Sequence, residues 1–155
     1  MESLNKTPTQ RVEFRYDPQG RRIQKKVSEA RTPTGNRRNN RRWKTTQQHH
    51  YVYDGRNLIA ELDAQKHLVR THLLGLDLSG SLQGAGGVGG LLQTTYHQRN
   101  EKAIPLIDGN GNVVQYFDTL EANPIARFAY DPVGNMVDGK LTAEGSFPFQ
   151  FSTGS

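Results

Sequence analysis

Phe128-Ala129-Tyr130-Asp131-Pro132-Val133-Gly134-Asn135-Met136-Val137 holds a complete β-hairpin instruction in ten residues. Phe128 and Tyr130 stand two apart, which puts both rings on one face of a strand, and Met136 and Val137 open the return strand. The residues between them suit a turn. Asp131 can accept a hydrogen bond from the backbone two residues on, Pro132 already has the φ a turn needs, and Gly134 takes the position where a side chain would clash.

The instruction recurs. Phe14-Arg15-Tyr16-Asp17-Pro18-Gln19-Gly20-Arg21-Arg22-Ile23 repeats it at full length, and Tyr51-Val52-Tyr53-Asp54-Gly55-Arg56-Asn57-Leu58-Ile59 repeats it one residue shorter. With 6 Tyr and 8 Asp in 155 residues, chance gives about 0.3 Tyr-Asp pairs; three occur, at Tyr16, Tyr53 and Tyr130. Looser copies replace the tyrosine: Leu62-Asp63 before Leu68-Val69, Ile107-Asp108-Gly109-Asn110-Gly111-Asn112 before Val113-Val114, and Phe117-Asp118 before Ile125. Six repeats result.

These repeats resemble YD repeats, the building blocks of the bacterial Rhs family, of the C component of insecticidal Tc toxins and of the teneurins. Residues 75–92, Gly75-Leu76-Asp77-Leu78-Ser79-Gly80 through Gly89-Gly90-Leu91-Leu92, are similar to a segment found between YD units in many Rhs-type proteins. Phe147-Pro148-Phe149-Gln150-Phe151-Ser152-Thr153 resembles the lead-in to the Rhs repeat-associated core, which in the family continues into a Tyr- and Gly-rich segment. The sequence ends before that segment, so the expectation is a piece of a longer gene. The resemblance implies hairpins that wind into a hollow shell. It also implies that Phe14 with Tyr16, Tyr51 with Tyr53, and Phe128 with Tyr130 stack as ladders between repeats. Toxin encapsulation, carbohydrate binding and a secreted or cell-surface location are further implications of the family alone.

Composition fits a part better than a whole. Only 34% of the chain is apolar and mean hydropathy is −0.76, which is lean for a self-sufficient core. No apolar run is long enough to span a membrane, and Met1 to Lys6 lack the apolar stretch of a signal peptide. Cysteine is absent, which removes disulfides and thiolate metal sites without settling the compartment. The net charge of +5 is uneven: residues 11–44 hold 12 Lys/Arg against 3 Asp/Glu, and residues 45–155 hold 7 against 11.

Taken in order, residues 1–10 read as a frayed N-terminus and residues 11–137 as the YD-repeat β region. Within the latter, residues 31–42 read as an exposed basic hairpin tip and residues 84–90 as a flexible Gly-rich crossing between hairpins. Residues 58–62 serve two repeats, closing one and opening the next. Residues 138–155 read as a tail. No helical period lasts beyond a turn or two, so the fold expected is all-β: antiparallel hairpin repeats running as a meander, part of a spiralling sheet.

Motifs with chemical meaning are few. Gly84-Ala85-Gly86-Gly87-Val88-Gly89 has dinucleotide-loop spacing, but Leu91 to Tyr96 after it favours strand, and no βαβ unit surrounds it. Asp108 to Asn112 begins like a calcium loop, yet Val113 stands where glycine is needed and Thr119 where the bidentate carboxylate belongs. His49, His50, His67 and His72 give no three-ligand set. Family members that cut themselves use a DPxG motif and a later Asp-Pro. Asp17-Pro18-Gln19-Gly20 and Asp131-Pro132-Val133-Gly134 match its first half, but Asn39 and Thr153 occupy the later position. No catalytic residue, metal site or cofactor is therefore expected, and the chain reads as a structural or interaction segment. Its repeat residues are Phe14, Tyr16, Asp17, Gly20, Tyr51, Tyr53, Asp54, Asp108, Gly111, Phe128, Tyr130, Asp131 and Gly134. Its partners would be the other repeats and core of an Rhs-type protein. The alternative is a basic module in which Arg37, Arg38, Arg41, Arg42 and Lys44, with Trp43 to stack, hold nucleic acid or an anionic polymer.

Overall fold

Alternating apolar residues between aspartate-led bends become strands throughout. The computed structural model describes residues 9–31, 42–133 and 135–141, and these are all-β and antiparallel, with no helix. The strands are β1 Gln10–Tyr16, β2 Arg22–Arg31, β3 Arg42–Asp54, β4 Asn57–Leu62, β5 Leu68–Leu74, β6 Leu91–Tyr96, β7 Glu101–Ile107, β8 Val113–Asp118, β9 Pro124–Tyr130 and β10 Met136–Leu141. Each neighbours its predecessor and successor in sequence, so the topology is a plain meander. The chain divides into two units: Met1–Tyr51 with Leu62–His67, and Val52–Glu61 with Leu68–Ser155.

In the first unit, β1 runs against β2 with Val12 opposite Val27 and Phe14 opposite Lys25. Strand β2 runs against β3 from Gln24–His50 to Arg31–Arg42, with an irregularity after Val27 where Thr46 Oγ1 donates to the Val27 carbonyl at 3.3 Å. Of this unit's described residues only Val27 and Ser28 are buried. Phe14 and Tyr16 lie 6.4 Å apart but remain 44% and 55% exposed, with the Arg22 guanidinium 4.8 Å from the Phe14 ring centroid.

The second unit holds the core: Leu91, Tyr96, Ala103, Val113, Tyr116, Ala126 and Phe128, with Ile107, Ile125 and Tyr130 against it. Register explains the mixture of rings and alanines. Tyr116 of β8 faces Pro105 of β7 and Ala126 of β9, and Thr94 of β6 faces Ala103. Small residues on the neighbouring strands leave room for the rings of Tyr116 and Phe128, which meet edge to face with centroids 6.5 Å apart. Pro105 is tolerated because the ladder between β6 and β7 ends at Ala103.

Phe14 and Tyr16 meet each other but stay exposed, and Phe128 packs on Tyr116, which stands outside the Tyr-Asp pattern. Tyr51 and Tyr53 are half-buried. Two expectations need correction. Residues 84–90 do not cross loosely between hairpins, because β5 and β6 on either side pair directly, Leu74 opposite Leu91. The regular structure also runs past the expected limits, from Gln10 to Leu141, so that Asp138 to Leu141 belong to a strand paired with β9. Residues 1–8 of the segment 1–10 expected to fray, residues 32–41 of the expected tip 31–42, Gly134 and residues 142–155 lie outside the described residues.

Stability should follow burial rather than the repeat pattern. Phe128→Ala is expected to cost about 3–5 kcal/mol, whereas Phe14→Ala, which gives up contacts with Tyr16 and Arg22 at an exposed position, should cost about 1–2 kcal/mol. Urea unfolding monitored by circular dichroism measures both, and equal losses would contradict this ordering.

Candidate functional site

One device is built into hairpin after hairpin. At Asp17, Asp63, Asp108 and Asp131 a carboxylate oxygen accepts the backbone N–H groups two and four residues on, at 2.8–3.0 Å. The same aspartate donates its own N–H to the carbonyl four residues on, at 2.9–3.0 Å. The third residue after the aspartate takes a positive φ, at Gly20, Lys66 and Gly111. The result is a turn closed by a bulge, which adds twist and sets register. The second carboxylate oxygen goes to the side chain of the fourth residue: Arg21 Nε at 2.7 Å, His67 Nδ1 at 3.4 Å, Asn112 Nδ2 at 3.1 Å and Asn135 Nδ2 at 2.9 Å. Asp118 makes a loop one residue longer, accepting from Leu120, Glu121 and Asn123, with the positive φ at Ala122.

Burial raises these carboxyls, at Asp17 and Asp108 more than any one donor lowers them, yet the donors together hold Asp17, Asp63, Asp108 and Asp118 below the usual carboxylate range. A carboxylate so occupied is a structural acceptor. The two DPxG stretches and the partial calcium loop are accordingly turns.

Asp77 was missed by the repeat count, although Asp77-x-x-Gly80 has the spacing of Asp17-x-x-Gly20. Its first oxygen accepts the N–H and hydroxyl of Ser79, at 2.9 and 2.5 Å. The fourth residue here is Ser81, whose hydroxyl contacts Ser79 instead, and the second oxygen accepts the N–H groups of Ala85 and Gly87 at 2.6 and 3.2 Å. The hydroxyl of Ser79 contributes most to pulling the Asp77 carboxyl down to about 2, burial opposing it and the backbone donors adding to it. One carboxylate thus folds the Gly-rich segment into an ordered loop. That loop then grips the tight Asp54-Gly55-Arg56 turn: Gln83 Oε1 accepts the Arg56 N–H and Gln83 Nε2 donates to the Asp54 carbonyl, both at 3.0 Å. Asn57 Nδ2 donates to the Leu82 carbonyl at 3.3 Å, while its Oδ1 faces Gly87, where any Cβ would overlap it.

A buried polar group lies along β4, β5 and β6. Arg70 Nε pairs with Glu61 Oε2 at 3.1 Å, both nearly out of solvent. The guanidinium groups of Arg70 and Arg99 lie 5.7 and 4.9 Å from the Tyr96 ring centroid, and Arg99 pairs with Glu101 at 2.9 Å. Burial pushes the Tyr96 hydroxyl up to about 12. His72 Nδ1 and Thr94 Oγ1 are 3.0 Å apart, and burial, helped by the charge of Arg70, lowers the imidazole to about 4. Thr94 is fully buried and His72 nearly so. Tyr130 donates its hydroxyl to the Val113 carbonyl at 2.9 Å, and burial raises it to about 12.

Of the basic residues, Arg37, Arg38 and Arg41 lie outside the described residues. Arg42 and Lys44 are exposed on β3, with Lys44 opposite Glu29 and Trp43 opposite Ala30. Among the described residues no group of three or more His, Asp or Glu is placed to hold a metal ion, and no helix is long and apolar enough to cross a membrane. No protein-family profile matches the chain, and no curated protein matches it.

His72 and Asp77 make stability depend on pH in separate windows. Folded His72 takes its proton near 4 and the unfolded residue near its ordinary 6.5, so the unfolded chain holds the extra proton between them. Stability should rise with pH across that window, by on the order of 3 kcal/mol, and His72→Gln should flatten the rise. Asp77 adds stability that is present above its ordinary 3.8 and lost as pH falls towards 2. Urea midpoints recorded across both windows measure the two slopes. Glycines give a second comparison. Gly20→Ala, at φ +79° in open space, should cost about 1–2 kcal/mol. Gly87→Ala, at φ +82° against Asn57, should cost about 1–3 kcal/mol more. Equal costs would mean that the Gly87 contact is absent in solution.

Proposed function

We propose that this chain is a non-catalytic structural and interaction segment of a YD-repeat protein of the Rhs type, contributing wall to a β-shell that encloses a toxin or forms a cell-surface assembly. The observation that carries the reading is the aspartate loop: the same oxygen, the same two backbone donors and the same closing bond recur at Asp17, Asp63, Asp108 and Asp131. Repetition of one turn along a meander builds surface by addition, whereas a catalytic site needs unlike groups brought to one point. The aspartates that could serve chemistry are spent on backbone N–H groups. Among the described residues strand β1 pairs only with β2 and β10 only with β9, which leaves both edges able to continue into further repeats. Carbohydrate binding belongs to this proposal as a property of the family.

Electron cryo-microscopy of the assembly recovered from cells through a tag on this chain tests the reading. The expected result is a sheet that continues past β1 or β10 around an enclosed volume. A closed particle of this chain alone, with both edges in solvent, would overturn it. Fluorescence anisotropy with a labelled single-stranded oligonucleotide adds a second arm. Tight binding that falls steeply as salt rises, and that vanishes when Arg37, Arg38, Arg41 and Arg42 are changed to Ser, would replace the wall with a basic binding module.

A further inference from the structure

A cleft of about 260 Å³ opens on the second unit beside the most exposed large apolar side chain among the described residues. Its lining includes the buried Tyr96 and Ala103 with Ile125, and Leu120 stands at its lip, 91% exposed. Leu120 is not there by looseness. The Asp118 carboxylate accepts the N–H groups of Leu120 and Glu121 at 2.9 and 2.7 Å, and the Asp118 N–H donates to the Asn123 carbonyl at 3.0 Å, which fixes the loop that presents it. A fixed, solvated leucine next to an apolar recess is a docking feature.

Size and charge select the occupant. The recess is smaller than the roughly 300–1,000 Å³ of pockets that enclose drug-sized ligands, and suits a side chain. Most charges around it are already satisfied: Arg99 pairs with Glu101, and Asp118 is filled by backbone donors. Lys102 and Glu121, which also line it, form no ion pair with any described residue; Glu121 Oε2 accepts the Asn123 side-chain amide at 2.7 Å, a neutral donor that leaves its charge in place. One uncompensated charge of each sign is self-complementary. A partner of a single sign would leave one of them facing its like, whereas a copy related by a two-fold axis neutralises both.

We propose that this face is the interface of a symmetric dimer. Leu120 of each subunit enters the cleft of the other, and Lys102 pairs with Glu121 of the partner subunit. The assignment stands on the second unit's own geometry and does not depend on the family reading.

Sedimentation equilibrium of the full chain tests it. The wild type should show a monomer–dimer equilibrium, and Leu120→Asp should shift it to monomer. Lys102→Glu and Glu121→Lys should each weaken association by about tenfold, by replacing attraction with like-charge contact. The double variant K102E/E121K should recover wild-type affinity, because the swap restores both pairs. Far-ultraviolet circular dichroism reports folding, and if Leu120→Asp alters the spectrum, the surface charge variants decide. A wild type that stays monomeric up to its solubility limit overturns the proposal. So does a dimer unmoved by these substitutions, or a double variant that fails to recover.

Discussion

The fold depends on an aspartate carboxylate that satisfies the backbone of its own turn. A hairpin bend leaves N–H groups pointing inward with no strand to receive them, and an unpaired polar group in that position is costly. The oxygen of Asp17, Asp63, Asp108 or Asp131 takes two of them at once, and the residue four on contributes a side chain to the other oxygen. The turn therefore carries its own hydrogen-bond partners and needs no buried environment. That is why it can recur in the first unit, which has little core, as well as in the second, which has a good one.

The same economy limits chemistry. Carboxylates held down by backbone donors are poor proton acceptors, and the one histidine buried with a hydroxyl partner, His72, is sealed beside a fully buried Thr94. The aromatic and charged group of Glu61, Arg70, Tyr96 and Arg99 fixes one wall of the second unit, and the Asp118 loop sets Leu120 beside it.

The Gly-rich loop shows how a small change diverts the device. In the regular turns the fourth residue is long enough to reach the second oxygen. At Asp77 it is Ser81, and that oxygen instead gathers Ala85 and Gly87 from further along the chain. A local turn becomes a longer-range clasp, and Gln83 extends it to the Asp54 turn, whose tight form leaves a backbone donor and acceptor for it to use.

The sequence by itself determined the strands and their antiparallel order. Period-two apolar residues and Asp-x-x-Gly bends act within ten residues, and the carboxylate bonds that enforce them are equally local. It also carried the shared strand at residues 58–62, found as Asn57–Leu62, because a strand of that length between Asp54 and Asp63 has to serve both turns. Only the tertiary structure decided which rings are buried. Phe14 with Tyr16 and Phe128 with Tyr130 look alike in sequence, yet burial depends on what the neighbouring strands bring: Lys25 and Arg22 opposite the rings of β1, but Gly139 opposite Phe128 and the ring of Tyr116 against it on β9. The grip of Gln83 on the Asp54 turn and the cleft at Tyr96 were hidden for the same reason. Their partners, Asp54 and Arg56 in one case and Leu120 and Ile125 in the other, are distant in sequence and meet only when the hairpins close.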